Sequence, residues 1–269
     1  MVAQPAQSLI QYVKKHDWQV LREQSRMNIF VISLTKATQR RASCIEQLNE
    51  AGLEFSFFDA QSVVDDYSDF FEKYDEREFQ INTGRTAAKG EIGCYASHLA
   101  LWEKCVELDE PIMIMEDDFY LTEGFHSAVS IVADEIDQYG YIRLQSEGSG
   151  KSRLVKSIGD YKLLYYTKMP HSLMCYAINP SVAKQFIRKA KILDAPVDVM
   201  IKKTWEHKQR LYGLSPYTVI DSDLSSESMI SGRVKHKKSL SIQFSRFLRK
   251  TSWIVNRVTF TAFFTPPKN

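Results

Sequence analysis

Three consecutive carboxylates, Glu116, Asp117 and Asp118, follow directly on the apolar run Pro111-Ile112-Met113-Ile114-Met115. Such a run reads as a short strand buried on both faces, so the acids fall where the chain leaves a sheet. Ligands of open α/β sheets bind at strand ends of this kind. Adjacent carboxylates repel one another unless solvent or a cation compensates, and a hard divalent ion with oxygen ligands would do so. Taken alone, the triplet reads rather as a solvated acidic turn ahead of the helix that starts near Thr122, because acids are common at helix starts. The surrounding elements must decide between the two.

Those elements alternate. Residues 28–34 are an apolar strand, followed by a polar loop and a helix through Ala51, with Gly52 as its C-cap, then a strand from Leu53 to Phe58 ending at Asp59-Ala60. Strand, helix and strand make a right-handed parallel unit whose first loop faces the carboxyl edge of the sheet, so Ser33, Thr35 and Arg40 are candidates for a nucleotide pocket. Residues 61–88 are polar and irregular, with a Thr83-Gly84-Arg85-Thr86 turn, and read as a surface excursion that could close over a ligand. Residues 89–108 are helical with an inward stripe of Ile92, Tyr95, Leu99, Trp102 and Val106, and they carry Ser97 and His98. A lone helical histidine is also an ordinary core residue.

After the triplet, a helix over 123–138 leads to a strand over 141–145 with a polar end at Gln145, Ser146 and Glu147. Residues 161–166 and 173–178 read as further strands that could pair. Asn179-Pro180-Ser181 opens a helix to Lys191. Asp198 stands at the start of the next helix, where an acid serves as cap or dipole partner. Residues 211–220 read as the last strand. There is no internal repeat, P-loop or GxGxxG in the sequence.

With 269 residues, 44% hydrophobic and 25% charged, the composition is that of a globular protein with one elaborated domain. Residues 1–26 form a helical appendage, 27–231 the body and 232–269 a tail. Cys44, Cys94, Cys105 and Cys175 show no CxxC pairing and suit reduced, packed thiols in a cytosolic setting. Neither a spanning segment of about eighteen apolar residues nor the apolar core of a signal peptide is present, so the chain is expected to be neither integral nor secreted. After Glu227 there is no Asp or Glu, and nine basic residues follow, leaving 26 basic against 33 acidic residues before them. The tail also carries Leu240, Phe244, Phe247, Leu248, Trp253, Ile254, Val255, Val258, Phe260 and Phe263, largely at helical spacing. A basic amphipathic helix of this type lies in an anionic lipid interface with its basic residues among the headgroups. Its apolar stripe would otherwise pack on the body as an ordinary final helix. Nucleic acid is the weaker partner and is not expected.

Four segments, in order and spacing, resemble glycosyltransferase family 25, the lipopolysaccharide and lipooligosaccharide glycosyltransferases of Gram-negative bacteria. They are Ile29-Phe30-Val31-Ile32-Ser33-Leu34 with Arg40-Arg41, Lys89-Gly90-Glu91-Ile92-Gly93-Cys94-Tyr95-Ala96-Ser97-His98, Ile114-Met115-Glu116-Asp117-Asp118, and Pro196-Val197-Asp198. The resemblance covers roughly residues 27–230. It implies a GT-A-like α/β fold: a single nucleotide-sugar-binding domain with a mostly parallel central sheet flanked by helices, and the basic amphipathic helix added at the carboxyl end. In that fold an acidic DxD-type motif holds Mn²⁺ or Mg²⁺. Glu116-x-Asp118 stands in that place, with Glu for the first Asp. Asp118 is then the direct metal ligand, and Glu116 a metal or ribose contact. The resemblance further implies that Ser33, Arg40, Ala60, Glu91, Ser97, His98, Glu116 and Asp117 stand in or beside the donor site. Asp198 becomes the general base, by analogy with inverting galactosyltransferases.

The implied activity is metal-dependent, inverting transfer of a hexose, galactose before glucose, from UDP-galactose or UDP-glucose to a core sugar of a lipid-linked oligosaccharide. Its setting would be the cytoplasmic face of the bacterial inner membrane, with the tail on the anionic surface. A metal phosphohydrolase would also gather carboxylates at strand ends. A non-catalytic sugar-nucleotide-binding protein on a transferase fold is the third reading. Asp221, Asp223, Glu227 and His236, which follow the last strand, are open candidates for a further metal ligand.

Overall fold

The computed structural model describes residues 27–60, 74–146, 148–222 and 240–264. The expected appendage over 1–26, Asp223, Glu227 and His236 lie outside them. Asn28–Ser33 forms β1, Thr38–Glu50 helix α1 and Ser56–Asp59 β2. Strand β1 pairs in parallel with β2 and, on its other side, with β3 (Ile112–Glu116). Gly52, at φ +69, turns the chain out of α1, as expected of a residue without Cβ.

The remaining elements follow in order. Helices α2 (Glu76–Thr83) and α3 (Lys89–Leu108) precede β3, and β4 (Phe119–Leu121) and α4 (Phe125–Tyr139) follow it. Then come β5 (Tyr141–Arg143), β6 (Lys151–Ile158), β7 (Tyr161–Lys168) and β8 (Cys175–Ile178). Helices α5 (Pro180–Lys189), α6 (Val197–Lys202) and α7 (Thr204–His207) lead to β9 (Tyr212–Ser215), β10 (Val219–Asp221) and the long helix α8 (Leu240–Phe264). Eight strands form one sheet in the order β2-β1-β3-β8-β5-β9-β7-β6. The fold is α/β with a central sheet flanked by helices, and the sheet is mixed: β2-β1-β3 and β5-β9 run parallel, the other neighbours antiparallel.

Two strands differ from expectation. The segment over 161–168 pairs with β6 and β9, not with β8, which sits between β3 and β5. Strand β6 escapes a pattern reading because it is the outer edge of the sheet, rich in Lys, Ser and Arg and mostly solvent-facing. The expected single strand over 211–220 is two strands. Pro216 interrupts the run, and β10 leaves the main sheet to pair with β4. Within the region read as irregular, Asp75 caps α2 by accepting from the Glu78 N–H at 2.9 Å.

The sheet separates two cores, and the strand period of two divides the side chains between them. Ile112, Ile114, Tyr176 and Ile178 pack with α3 and α5, while Met113, Met115, Cys175 and Ala177 pack with α1 and α4. Tyr176 is a node of the first core. Its hydroxyl accepts from Trp102 Nε1 at 2.9 Å and meets His98 Nδ1 at 2.8 Å. Arg143, 1% exposed at the end of β5, donates to the carbonyls of Gln145, Ser146, His171 and Ser172, binding the loop before β8 to the sheet.

Helix α8 reverses the orientation expected of the tail. Its basic side grips the body: Arg246 Nη1 donates to the Gln80 and Ile81 carbonyls at 2.8 and 3.0 Å, in the last turn of α2, where the Gly84 N–H also caps Gln80. Arg249 binds Glu78 at 2.8 Å and Asn82 Oδ1 at 2.9 Å. A Cβ on Gly84 would lie 2.7 Å from Arg246 Cζ, so glycine leaves the guanidinium its seat. Trp253 lies between Lys203 and Trp205, at 5.3 and 6.4 Å. Leu240, Phe244, Phe247, Leu248, Ile254, Val255, Val258 and Phe263 are left exposed, and Phe260 alone of the helix is buried.

Replacing Arg143 by Met keeps most of the side-chain volume but leaves four carbonyls without their donor. Urea denaturation should show a loss of about 3–5 kcal/mol; a loss below about 1 kcal/mol would mean that water replaces the guanidinium.

Candidate active site

The acidic triplet does not present its three carboxylates to one point. Glu116 keeps the parity of Ile112 and Ile114 and faces α3, where His98 Nε2 lies 3.5 Å from its Oε1. Asp117 keeps the parity of Met113 and Met115 and faces α1. There it accepts from Ser33 Oγ at 2.6 Å and from Arg40 Nη1 at 3.0 Å. Asp118 lies between, with Oδ2 3.7 Å from Arg40 and its other oxygen, Oδ1, buried without a hydrogen-bond partner among the described residues. Burial, then the Glu116 charge, pushes the Asp118 carboxyl up to about 6 against the pull of Arg40.

The loops after β1 and β2 close the same edge. Arg41 donates to the Ser33 carbonyl at 3.0 Å and to Asp59, and the Ala60 N–H donates to the Ser33 carbonyl at 2.9 Å. Ser33, Arg40, Asp117 and Ala60 are thus brought together at this edge of the sheet. Thr35, in the loop before α1, is exposed.

Helix α3 supplies the other wall. Glu91 caps it by accepting the Ala88 N–H at 3.0 Å, and it holds Arg85 through both oxygens. Ser97 is fully buried and its hydroxyl donates back to the Gly93 carbonyl at 2.8 Å. His98 is fully buried between Tyr176 and Glu116. Trp102 N–H can only donate, and it occupies one lone pair of the Tyr176 hydroxyl, which also meets His98 Nδ1. His98 Nε2 faces the first acid of the motif at 3.5 Å, with no hydrogen bond of its own among the described residues.

The donor atoms suit a divalent cation. An unpartnered buried oxygen on Asp118 beside the Glu116 carboxylate is what a hard ion would satisfy, and these two residues would hold it. Cys94 Sγ, His98 and Glu116 also offer three atoms within 4.8 Å of one another. Burial, followed by the charges of Glu116 and Asp198, pushes the Cys94 thiol well up, against the thiolate that a softer metal requires. Asp221 is engaged with Gln145 Nε2 at 3.3 Å.

Glu116 and Asp198, from β3 and the first turn of α6, line one cleft of about 870 Å³ together with Glu91, Cys94, the 168–173 segment and the inner side of α8. Asp198 accepts from His171 Nδ1 at 3.2 Å, and Lys202 Nζ lies 2.7 Å from the same ring nitrogen. Burial would raise the Asp198 carboxyl, but the His171 hydrogen bond and the Lys202 charge outweigh it and hold the group below its ordinary value. His171 and Lys202 were not among the sequence candidates. Lys202 has a readable signal, four residues after Asp198 on one helix; His171 comes from a loop and has none.

The Glycosyltransferase family 25 (LPS biosynthesis protein) model matches residues 27–201. A Haemophilus influenzae protein assigned as a glycosyltransferase is 29% identical over 201 residues, covering 70% of this chain and 67% of its own. A lipooligosaccharide biosynthesis protein of Haemophilus influenzae is 36% identical over 96 residues, 35% of each chain. The lacto-N-neotetraose biosynthesis glycosyltransferase of Neisseria gonorrhoeae is 32% identical over 103 residues, 36% of this chain and 34% of its own. The alignment thus spans about a third of the length of the latter two.

Asp118 carries a stability cost that a neutral isostere removes. Its folded-state proton affinity exceeds the unfolded one, so the protein loses stability as pH rises from about 4 to about 6 and bears the full cost above that. Asp118→Asn should therefore be more stable than wild type at pH 7 in EDTA, by on the order of 2 kcal/mol, with the advantage gone near pH 4. Excess Mn²⁺ should raise the Tm of wild type and not of the variant. Equal melting at pH 7 in EDTA would remove the buried, uncompensated carboxylate from the account.

Four matching segments, the sheet that sets them at one edge and a family match over most of the body agree: this chain belongs to glycosyltransferase family 25.

Proposed function

We propose that the protein is an inverting, metal-dependent hexosyltransferase. It moves galactose, with glucose as the alternative, from a UDP-sugar to a core sugar of lipooligosaccharide. The observation that carries this is one cleft lined both by Glu116, of the acidic motif, and by the ionised Asp198. Inverting transfer requires that division: charge stabilisation at the leaving group, and a base for the acceptor hydroxyl. The relatives in lipooligosaccharide and lacto-N-neotetraose biosynthesis support the acceptor class.

Bound Mn²⁺ or Mg²⁺ would neutralise the negative charge that grows on the departing diphosphate. The chain's own residues do the rest. Arg40 and Ser33 neutralise and fix Asp117, leaving Asp118 and Glu116 as the carboxylates available to a cation. His98 backs Glu116 from within the core, its Nε2 3.5 Å from the carboxylate. Asp198 takes the proton of the acceptor hydroxyl, and His171 and Lys202 keep it ionised and aimed. A carboxylate held below its ordinary value is a weak base, so orientation rather than basicity is its contribution.

The outward apolar side of α8 is assigned to an anionic membrane surface, at the cytoplasmic face of the bacterial inner membrane, where a lipid-linked acceptor is concentrated. No described helix is long and apolar enough to cross a membrane.

Asp198→Asn keeps the shape and removes the base. With UDP-galactose, Mn²⁺ and a lipooligosaccharide acceptor, kcat should fall by roughly 10²–10⁴-fold while UDP affinity is kept; near-normal turnover would deny Asp198 the role. Phosphate or sugar release that needs no acceptor would identify a hydrolase instead. The triple change Phe244→Ser, Phe247→Ser and Phe263→Ser should abolish sedimentation with anionic liposomes, and undiminished binding would refute the assignment of α8.

A further inference from the structure

The cleft holds more positive charge than its own acids can balance. Of the cations that line it, Arg85 is taken by Glu91 and Lys203 by Asp194. Five others remain: Lys168 from β7, Lys202 from α6, and Arg246, Lys250 and Arg257 from α8. Against them, among the described residues and with Glu91 engaged by Arg85, the cleft wall offers Glu116 and Asp198. Among the described residues, Lys168 and Arg246 bind carbonyl oxygens and not carboxylates. Lys202 is turned to the His171 ring. Burial, and the nearby charges of Lys168 and Arg143, push its ammonium down to about 8 although Asp198 pulls the other way.

These cations do not belong to the nucleotide end. Ser33, Arg40, Asp117 and Ala60, at the ends of β1 and β3 and just beyond β2, do not line this cleft, whereas Glu116 and Asp198 do. The basic wall is therefore on the base side of the transfer site. Trp205, Trp253 and Met169 stand within it and provide flat apolar surface on which a sugar ring can lie. Lysine and arginine heads around such a surface suit a saccharide that carries an anionic group, which they bind through charge-assisted hydrogen bonds.

We infer that the acceptor is an anionic saccharide, phosphorylated or carboxylated, whose charged group is held by Lys168, Lys202, Arg246, Lys250 and Arg257. Three of those five come from α8, so the tail helix is part of the acceptor subsite. This rests on reading the cleft as the transfer site, and it adds to that reading the chemical class of the acceptor.

The test uses the full chain and its tryptophan fluorescence, since Trp205 and Trp253 line the cleft. Glucose 6-phosphate, glucuronate and glucose are titrated into wild type and into the double variant Lys250→Ala, Arg257→Ala, with UDP plus Mn²⁺ as a separate titration. The two anionic sugars separate phosphate from carboxylate. At least one should bind wild type about tenfold or more tighter than glucose, and the double variant should lose that advantage. UDP affinity should stay within about twofold of wild type. Glucose binding as tightly as both anionic sugars, or no response to either, overturns the inference. So does a variant that loses UDP affinity in parallel, because the cations would then serve the donor. Failure of wild type to bind UDP would instead strike the transferase reading itself.

Discussion

The site depends on the parity of β3. A strand sends successive side chains to opposite faces, so two adjacent acids at its end cannot share an environment. Glu116 inherits the face of Ile112 and Ile114 and meets His98; Asp117 inherits the face of Met113 and Met115 and meets Ser33 and Arg40. Register with β1 sets both encounters, since Glu116 lies opposite Ile32 and next to the strand end that carries Ser33. One acid is neutralised on one side of the sheet, and another is backed by a histidine on the other side. Asp118, where the strand has ended, is left with an oxygen that nothing in the described protein satisfies. A one-residue slip of β3 would exchange these roles.

Much of this was legible in the sequence. The unit β1-α1-β2, the helix over 89–108 and the buried strand before the triplet follow from apolar period, capping and Gly52, which are local signals. The neighbours of β7 and β8 were not, because pairing in a mixed sheet is decided by tertiary packing and not by the strands' own composition. Residue identity also failed to separate equals. Glu116, Asp117 and Asp118 look alike in the chain, and Ser97 stands beside His98 in one motif, yet Ser97 bonds its own helix while His98 reaches across to the acid. His171 could not be foreseen, since a loop held by the buried Arg143 brings it to Asp198.

The tail shows the limit of reading charge as a single property. A run with no acids and many bases suggests one anionic partner, yet in α8 the charges and the apolar side chains face different ways. Its guanidinium groups are used on α2, on carbonyls and Glu78, and on the cleft, while Phe244, Phe247 and Phe263 stay outside. A helix docked by its basic side places its apolar side away from the body, and the cleft lies along the docked side. If that outer side meets lipid, the cleft wall that α8 builds is held close to the membrane, within reach of the headgroup-borne sugars. The helix then ties together two requirements, where the enzyme stands and what charge its acceptor carries. Neither follows from the acidic motif itself.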